Sequence, residues 1–115
     1  MITVDADDPS GPSEQIRVQC TALIRSGVLP AEAKLPPVRQ LAGDLRVAPG
    51  TVAKAYRELE AQGLVVTGRA AGTRVAGGQA LPASILRQSR DFAHAARAAG
   101  LGVAEAQGLV ALGWG

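Results

Sequence analysis

The stretch Pro36-Pro37-Val38-Arg39-Gln40-Leu41-Ala42-Gly43-Asp44-Leu45-Arg46-Val47-Ala48-Pro49-Gly50-Thr51-Val52-Ala53-Lys54-Ala55-Tyr56-Arg57-Glu58-Leu59-Glu60-Ala61-Gln62-Gly63 decides the fold. Val38, Leu41, Ala42 and Leu45 recur at i, i+3, i+4 and i+7, one apolar stripe of a short helix. Pro36-Pro37 opens it, because proline is tolerated in a first turn whose N–H groups have no intrahelical partner. Val52, Ala55, Tyr56 and Leu59 repeat the same spacing in a second helix, from near Pro49 to about Gln62. Gly63 stands where a helix-ending glycine belongs. Only a tight connection, Val47-Ala48-Pro49-Gly50, separates the two.

Upstream, Ile16, Cys20, Leu23 and Ile24 form the stripe of a first helix that starts near Pro12 or Ser13 and stops at Gly27. Before it, Ile2-Thr3-Val4 reads as a short strand followed by a turn-rich run through Pro12. Downstream, Leu64–Thr67 and Thr73–Val75 read as a hairpin around Gly68-Arg69-Ala70-Ala71-Gly72. Gly77-Gly78 is a hinge. Beyond it a helix from about Pro82 to Ala99 aligns Ile85, Ser89, Phe92, Ala93 and Ala96. Gly100-Leu101-Gly102 breaks it, and a last helix from about Val103 to Leu112 carries Ala106, Leu109 and Val110.

Two short helices joined tightly and followed by a hairpin make the winged helix-turn-helix plan. The expected fold is therefore mainly α with a small β-wing. Residues 1–78 form a DNA-binding head with an N-terminal arm, and residues 79–115 a short two-helix dimerisation tail. A helical pair of that length closes no core alone, so two copies packing together are expected. The alternative is a tail folded back on its own head.

In such a head the second helix braces the third, whose N-terminal end enters the major groove. Gly50, Thr51, Ala53 and Lys54 lie near that end, off the apolar stripe. Small residues permit close backbone approach, Thr51 offers a hydroxyl, Lys54 a charge, and helix N–H groups an anion site. An ordinary solvated face, or a face that binds a protein partner, fits the same residues.

Charge supports the first reading. The whole chain of 115 residues carries only +2. Between Lys34 and Arg74, however, seven cations face three acids, a local basic excess suited to a polyanion. No paired carboxylates, Ser/His/Asp set, Cys/His pair or metal-spaced cluster is present, so neither catalysis nor a metal or other cofactor is expected. The lone Cys20 lies on an apolar stripe and reads as a small buried hydrophobe. Tyr56 reads as core rather than as a base-stacking group, and His94 as a surface or interface residue. Trp114 is either frayed or a dimer anchor. The N-terminus lacks a signal-peptide pattern and no apolar run is long enough to span a membrane, so a cytoplasmic protein is expected.

The runs Lys34-Leu-Pro-Pro-Val-Arg-Gln-Leu-Ala42, Leu45-Arg-Val-Ala-Pro-Gly-Thr-Val-Ala-Lys-Ala-Tyr-Arg-Glu-Leu-Glu60, Gln62-Gly-Leu-Val65 and Gly72-Thr-Arg-Val75 resemble the DNA-binding head of the GntR family of bacterial transcription regulators. The wording around Thr51 and the short chain look most like its YtrA-type branch. The resemblance implies that Arg39 contacts DNA backbone and base edges, that Thr51 reaches the DNA, and that Lys54 is the basic residue beside it. It implies wing contacts from Arg69, Gly72 and Thr73. Ala48 and Pro49 stand where the family places polar and basic residues, so base readout does not carry over to them. Ala70 replaces the first wing glycine. The implied partners are a double-stranded DNA operator and a second copy of the chain, probed as a pseudo-palindrome and with repression as the expected outcome. No polar constellation identifies a small-molecule effector.

Overall fold

The computed structural model describes every residue except Arg69 and Ala71. Five helices and one hairpin follow in the order α1 (Pro12–Arg25), α2 (Val38–Leu45), α3 (Pro49–Ala61), β1 (Val65–Gly68), β2 (Gly72–Val75), α4 (Ala83–Ala98) and α5 (Val103–Gly113). They fall into two compact units, Met1–Ala80 and Leu81–Gly115.

The first unit is built on α3, which packs against α1, α2 and β1. The stripes read from the sequence meet here: Ile16, Cys20 and Ile24 from α1, Leu41 and Ala42 from α2, Val52, Ala55, Tyr56 and Leu59 from α3. Leu64, Val65 and Val75 close the cluster from the wing side. Helix α2 starts at Val38, with Pro37 as its extended N-cap, rather than at Pro36-Pro37. The residue before a proline is pushed toward extended backbone, so Pro36 cannot join a helix ahead of Pro37. The turn between α2 and α3 is made by Arg46 in the left-handed region, φ 57° and ψ 46°, with its N–H donating to the Gly43 carbonyl.

Residues 2–4 form no strand, contrary to the expectation above. Their backbone partners are side-chain amides of α1. Gln19 accepts from the Thr3 N–H at 2.9 Å and donates back to the Thr3 carbonyl at 2.6 Å. One turn earlier on the same helix face, Gln15 does the same for Asp5, at 2.8 and 2.9 Å. Two glutamines thus satisfy the arm as a neighbouring strand would, and Ile2 and Val4 pack against the core.

The wing gains a third extended segment that periodicity did not reveal. Val65–Gly68 pairs antiparallel with Gly72–Val75, Val65 opposite Val75 and Val66 opposite Arg74. On the other edge of β2, Leu35 N–H donates to Thr73 and Val75 N–H to Ala33, both at 2.9 Å, which sets Lys34 opposite Arg74. The chain entering α2 is therefore tied into the wing sheet.

The second unit holds α4 and α5. Pro82 is the extended N-cap of α4, and the Glu105 carboxylate accepts from the Gly102 N–H at 3.0 Å at the start of α5. Ala96 alone of its residues is buried. Ile85, Phe92, Val103, Leu109, Val110, Leu112 and Trp114 are exposed, and an open groove of about 540 Å³ runs between Phe92, Ala96, Leu101, Val103, Ala106 and Val110. No helix among the described residues is long and apolar enough to cross a membrane.

Candidate nucleic-acid interface

Helix α3 presents an N-terminus that no side chain caps. Ala48 is its extended N-cap and Pro49 its first residue, which leaves the Gly50 N–H as the outward backbone donor of that turn. Gly50 is exposed, and a Cβ there would meet nothing within 4 Å. Its lack of a side chain serves no internal packing, and the open space lies on the outside of the head. Lys54 is exposed one turn further along, and Thr51 is half-buried between them. Arg39, the second residue of α2, is exposed as well. Among the described residues the ion pairs are those of Arg17, so Arg39 is not tied to Asp44, nor Arg57 to Glu60.

Three nearby glutamates, Glu14, Glu58 and Glu60, face other partners, while Asp44 of α2 is exposed without one among the described residues. Arg17 binds Glu14 through two hydrogen bonds of 2.7 Å and lies 3.8 Å from Glu58 of α3. The Arg17 hydrogen bond holds the Glu14 carboxyl below its ordinary range, with smaller help from the charges of Arg17 and Lys54. Arg17 is correspondingly pushed up, chiefly by the same bond to Glu14. Glu60, at the far end of α3, accepts from the Thr67 N–H at 3.1 Å and so fastens β1 to the helix. The exposed cations of α2 and α3 are left facing solvent.

Tyr56 settles the mutual placement of α2 and α3. Its ring is buried in the core and its hydroxyl donates to the Pro36 carbonyl at 2.7 Å. Burial pushes its pKa well above the ordinary value, with Cys20 adding to the rise. The hydroxyl thus stays a donor and locks the segment entering α2, and with it Arg39, against α3. Periodicity placed Tyr56 in the core but gave no sign of this bond. Cys20 is buried beside it, its thiol pushed up to about 11 by desolvation, so it is not a reactive nucleophile near neutrality.

The wing residues divide. Gly72 is exposed and has φ +72°, so its backbone conformation alone accounts for a glycine. Thr73 shares its hydroxyl with Thr67 across the hairpin at 3.3 Å, and its carbonyl accepts from Leu35. Its first role is therefore within the sheet. Arg69 lies outside the described residues. Among those described, no group of three or more His, Cys, Asp or Glu is placed to hold a metal.

Residues 12–75 match the family described as bacterial regulatory proteins, gntR family. The HTH-type transcriptional regulator Rv1152 of Mycobacterium tuberculosis is 41% identical over 88 residues, 76% of this chain and 73% of the relative. The structure of YtrA from Sulfolobus acidocaldarius, a GntR-family transcription factor, superposes with a TM-score of 0.63 at 32% identity, covering 82% of this chain and 97% of that one. The DNA-binding domain of AraR, solved in complex with operator ORE1, superposes with a TM-score of 0.56 at 25% identity, over 64% of this chain and 89% of that one. The chain belongs to the gntR family of bacterial regulatory proteins, as a YtrA-like transcription regulator with a winged helix-turn-helix DNA-binding head.

Proposed function

We propose that this chain is a homodimeric repressor whose two heads read the half-sites of a pseudo-palindromic operator in double-stranded DNA. The observation that carries the reading is the uncapped N-terminus of α3, with exposed Gly50 and Lys54 beside exposed Arg39. In this reading the backbone N–H of Gly50 and the Thr51 hydroxyl approach the DNA, Lys54 pairs with phosphate, and Arg39 contacts backbone and base edges. Arg69, Gly72 and Thr73 bring the wing to the neighbouring groove. The similarity of this head to the AraR DNA-binding domain, solved in complex with an operator, supports duplex DNA as the partner.

Residues 1–78 act as the head and residues 79–115 as the dimerisation tail. The exposed apolar residues of α4 and α5 support a second copy as the tail's cover, since contiguous apolar surface of that kind marks an association site. The protein works in the cytoplasm, without catalysis or cofactor, and an effector would lie between the tail helices or at the dimer seam.

The test is duplex binding as a function of salt. Affinity falls steeply with rising salt through counterion release. Lys54→Ala weakens binding to all sequences equally, whereas Arg39→Ala costs more on the preferred sequence than on a scrambled one. Absence of duplex binding at low salt would replace this reading with a winged-helix module that holds a protein.

A further inference from the structure

Lys34 and Arg74 are directly opposed across the edge of the wing sheet. The hydrogen bonds beside them, Leu35 to Thr73 and Val75 to Ala33, make them a non-hydrogen-bonded antiparallel pair. In that geometry facing side chains come closest. Alternation along each strand puts them on the outer face: Leu35 and Val75 are buried, whereas Lys34 is exposed and Arg74 half-exposed. Val66, opposite Arg74 on the other side, is exposed too. Two like charges in this relation repel and weaken the sheet. No carboxylate among the described residues forms an ion pair with either. Arg74 is instead steadied by donating to the Glu32 main-chain carbonyl at 3.3 Å.

A cation pair that opposes its own sheet is explained by an anion outside the chain. Its place in the fold says which anion. Lys34 lies four residues before the start of α2 and five before Arg39, and Arg74 lies two residues past Gly72 at the end of the wing loop. The pair is thus close along the chain to both parts of the proposed DNA surface. Arg74 borders an open hollow of about 270 Å³ together with Glu32, Val66, Gly68 and Gly72, and Lys34 borders a neighbouring one with Pro37, Gln40 and Thr73.

We infer that Lys34 and Arg74 form a second phosphate site, which holds the duplex backbone flanking the stretch read by α3. The inference rests on the reading of this head as a binder of duplex DNA. The site adds affinity and fixes the position of the wing without reading sequence.

The test compares the full-length protein with Lys34→Gln, Arg74→Gln and the double variant on a mixed-sequence duplex, across a salt series. Each single change makes the slope of log affinity against log salt shallower by about 0.9, and the double change by about 1.8. The loss is the same on preferred and scrambled duplexes. The free variants melt at or above the parent temperature, because a repulsion has been removed. Slopes and affinities equal to the parent's would overturn the site and leave two solvated cations. A loss confined to the preferred sequence would also overturn it, in favour of base readout. Failure of the parent itself to bind duplex would reject the underlying DNA reading, an outcome distinct from both.

Discussion

Head and tail use apolar residues in opposite ways. In Met1–Ala80 the aliphatic stripes of α1, α2 and α3 converge on one cluster, and Ile16, Val52 and Leu59 are 0% exposed. In Leu81–Gly115, Leu112 and Trp114 are 82% and 85% exposed, and α5 carries a single charge, Glu105. A helix that is apolar nearly all round belongs in an interior. The difference teaches that the head buries its apolar stripes within one copy, whereas the tail has the composition of a core and leaves it exposed.

Matched truncations probe this contrast most strongly. Leu59→Ala removes a fully buried side chain at the centre of the head and should lower unfolding free energy by about 3 kcal/mol, read from urea denaturation. Leu112→Ala should leave the unfolding of a dilute monomer within about 0.5 kcal/mol, while weakening self-association in sedimentation equilibrium. Equal destabilisation by the two would erase the distinction between the units.

Tyr56→Phe should cost about 1 kcal/mol, because it removes the donor from the part-buried Pro36 carbonyl. Since that bond positions Arg39, the variant should also lose DNA affinity while remaining dimeric. Arg46→Gly tests the turn: an L-residue at φ 57° carries a penalty that glycine lacks, so the variant should gain about 0.5–1 kcal/mol of head stability. The smallest effect is confined to alkaline pH. The Cys20 thiol, raised from 9.0 to about 11, keeps its proton in the folded head while the unfolded chain releases it. Head stability is therefore unaffected by this group below pH 9 and falls as pH rises from there toward 11. In Cys20→Ala the urea midpoint should fall less steeply through that window.

What the sequence made legible is what repeats locally. The stripes Ile16/Cys20/Ile24 and Val52/Ala55/Tyr56/Leu59 place three helices, and Gly63 closes α3 with its φ of +77°. The exposed ends at Arg39, Gly50 and Lys54 follow from being off those stripes. Non-local pairing was hidden. Lys34 finds Arg74 across 40 residues of chain, and nothing in Ala31–Leu35 alternates strongly enough to announce a strand. The segment Ile2–Val4 has the composition of a strand, yet the Thr3 backbone is paired by Gln19, as Asp5 just beyond is by Gln15, polar residues that pattern reading assigns to solvent. The left-handed turn at Arg46 has no glycine to mark it in the sequence.

The central claim is that a self-sufficient head reads DNA in pairs because the tail supplies the pairing. The most direct measurement is the stoichiometry and cooperativity of binding to one selected duplex, by analytical sedimentation with labelled DNA. The full-length chain is compared with one ending at Gly78. The account predicts two full-length chains per duplex bound as a unit, and single, weak, independent binding by the shortened chain. A shortened chain that still binds as a dimer with undiminished affinity would contradict it.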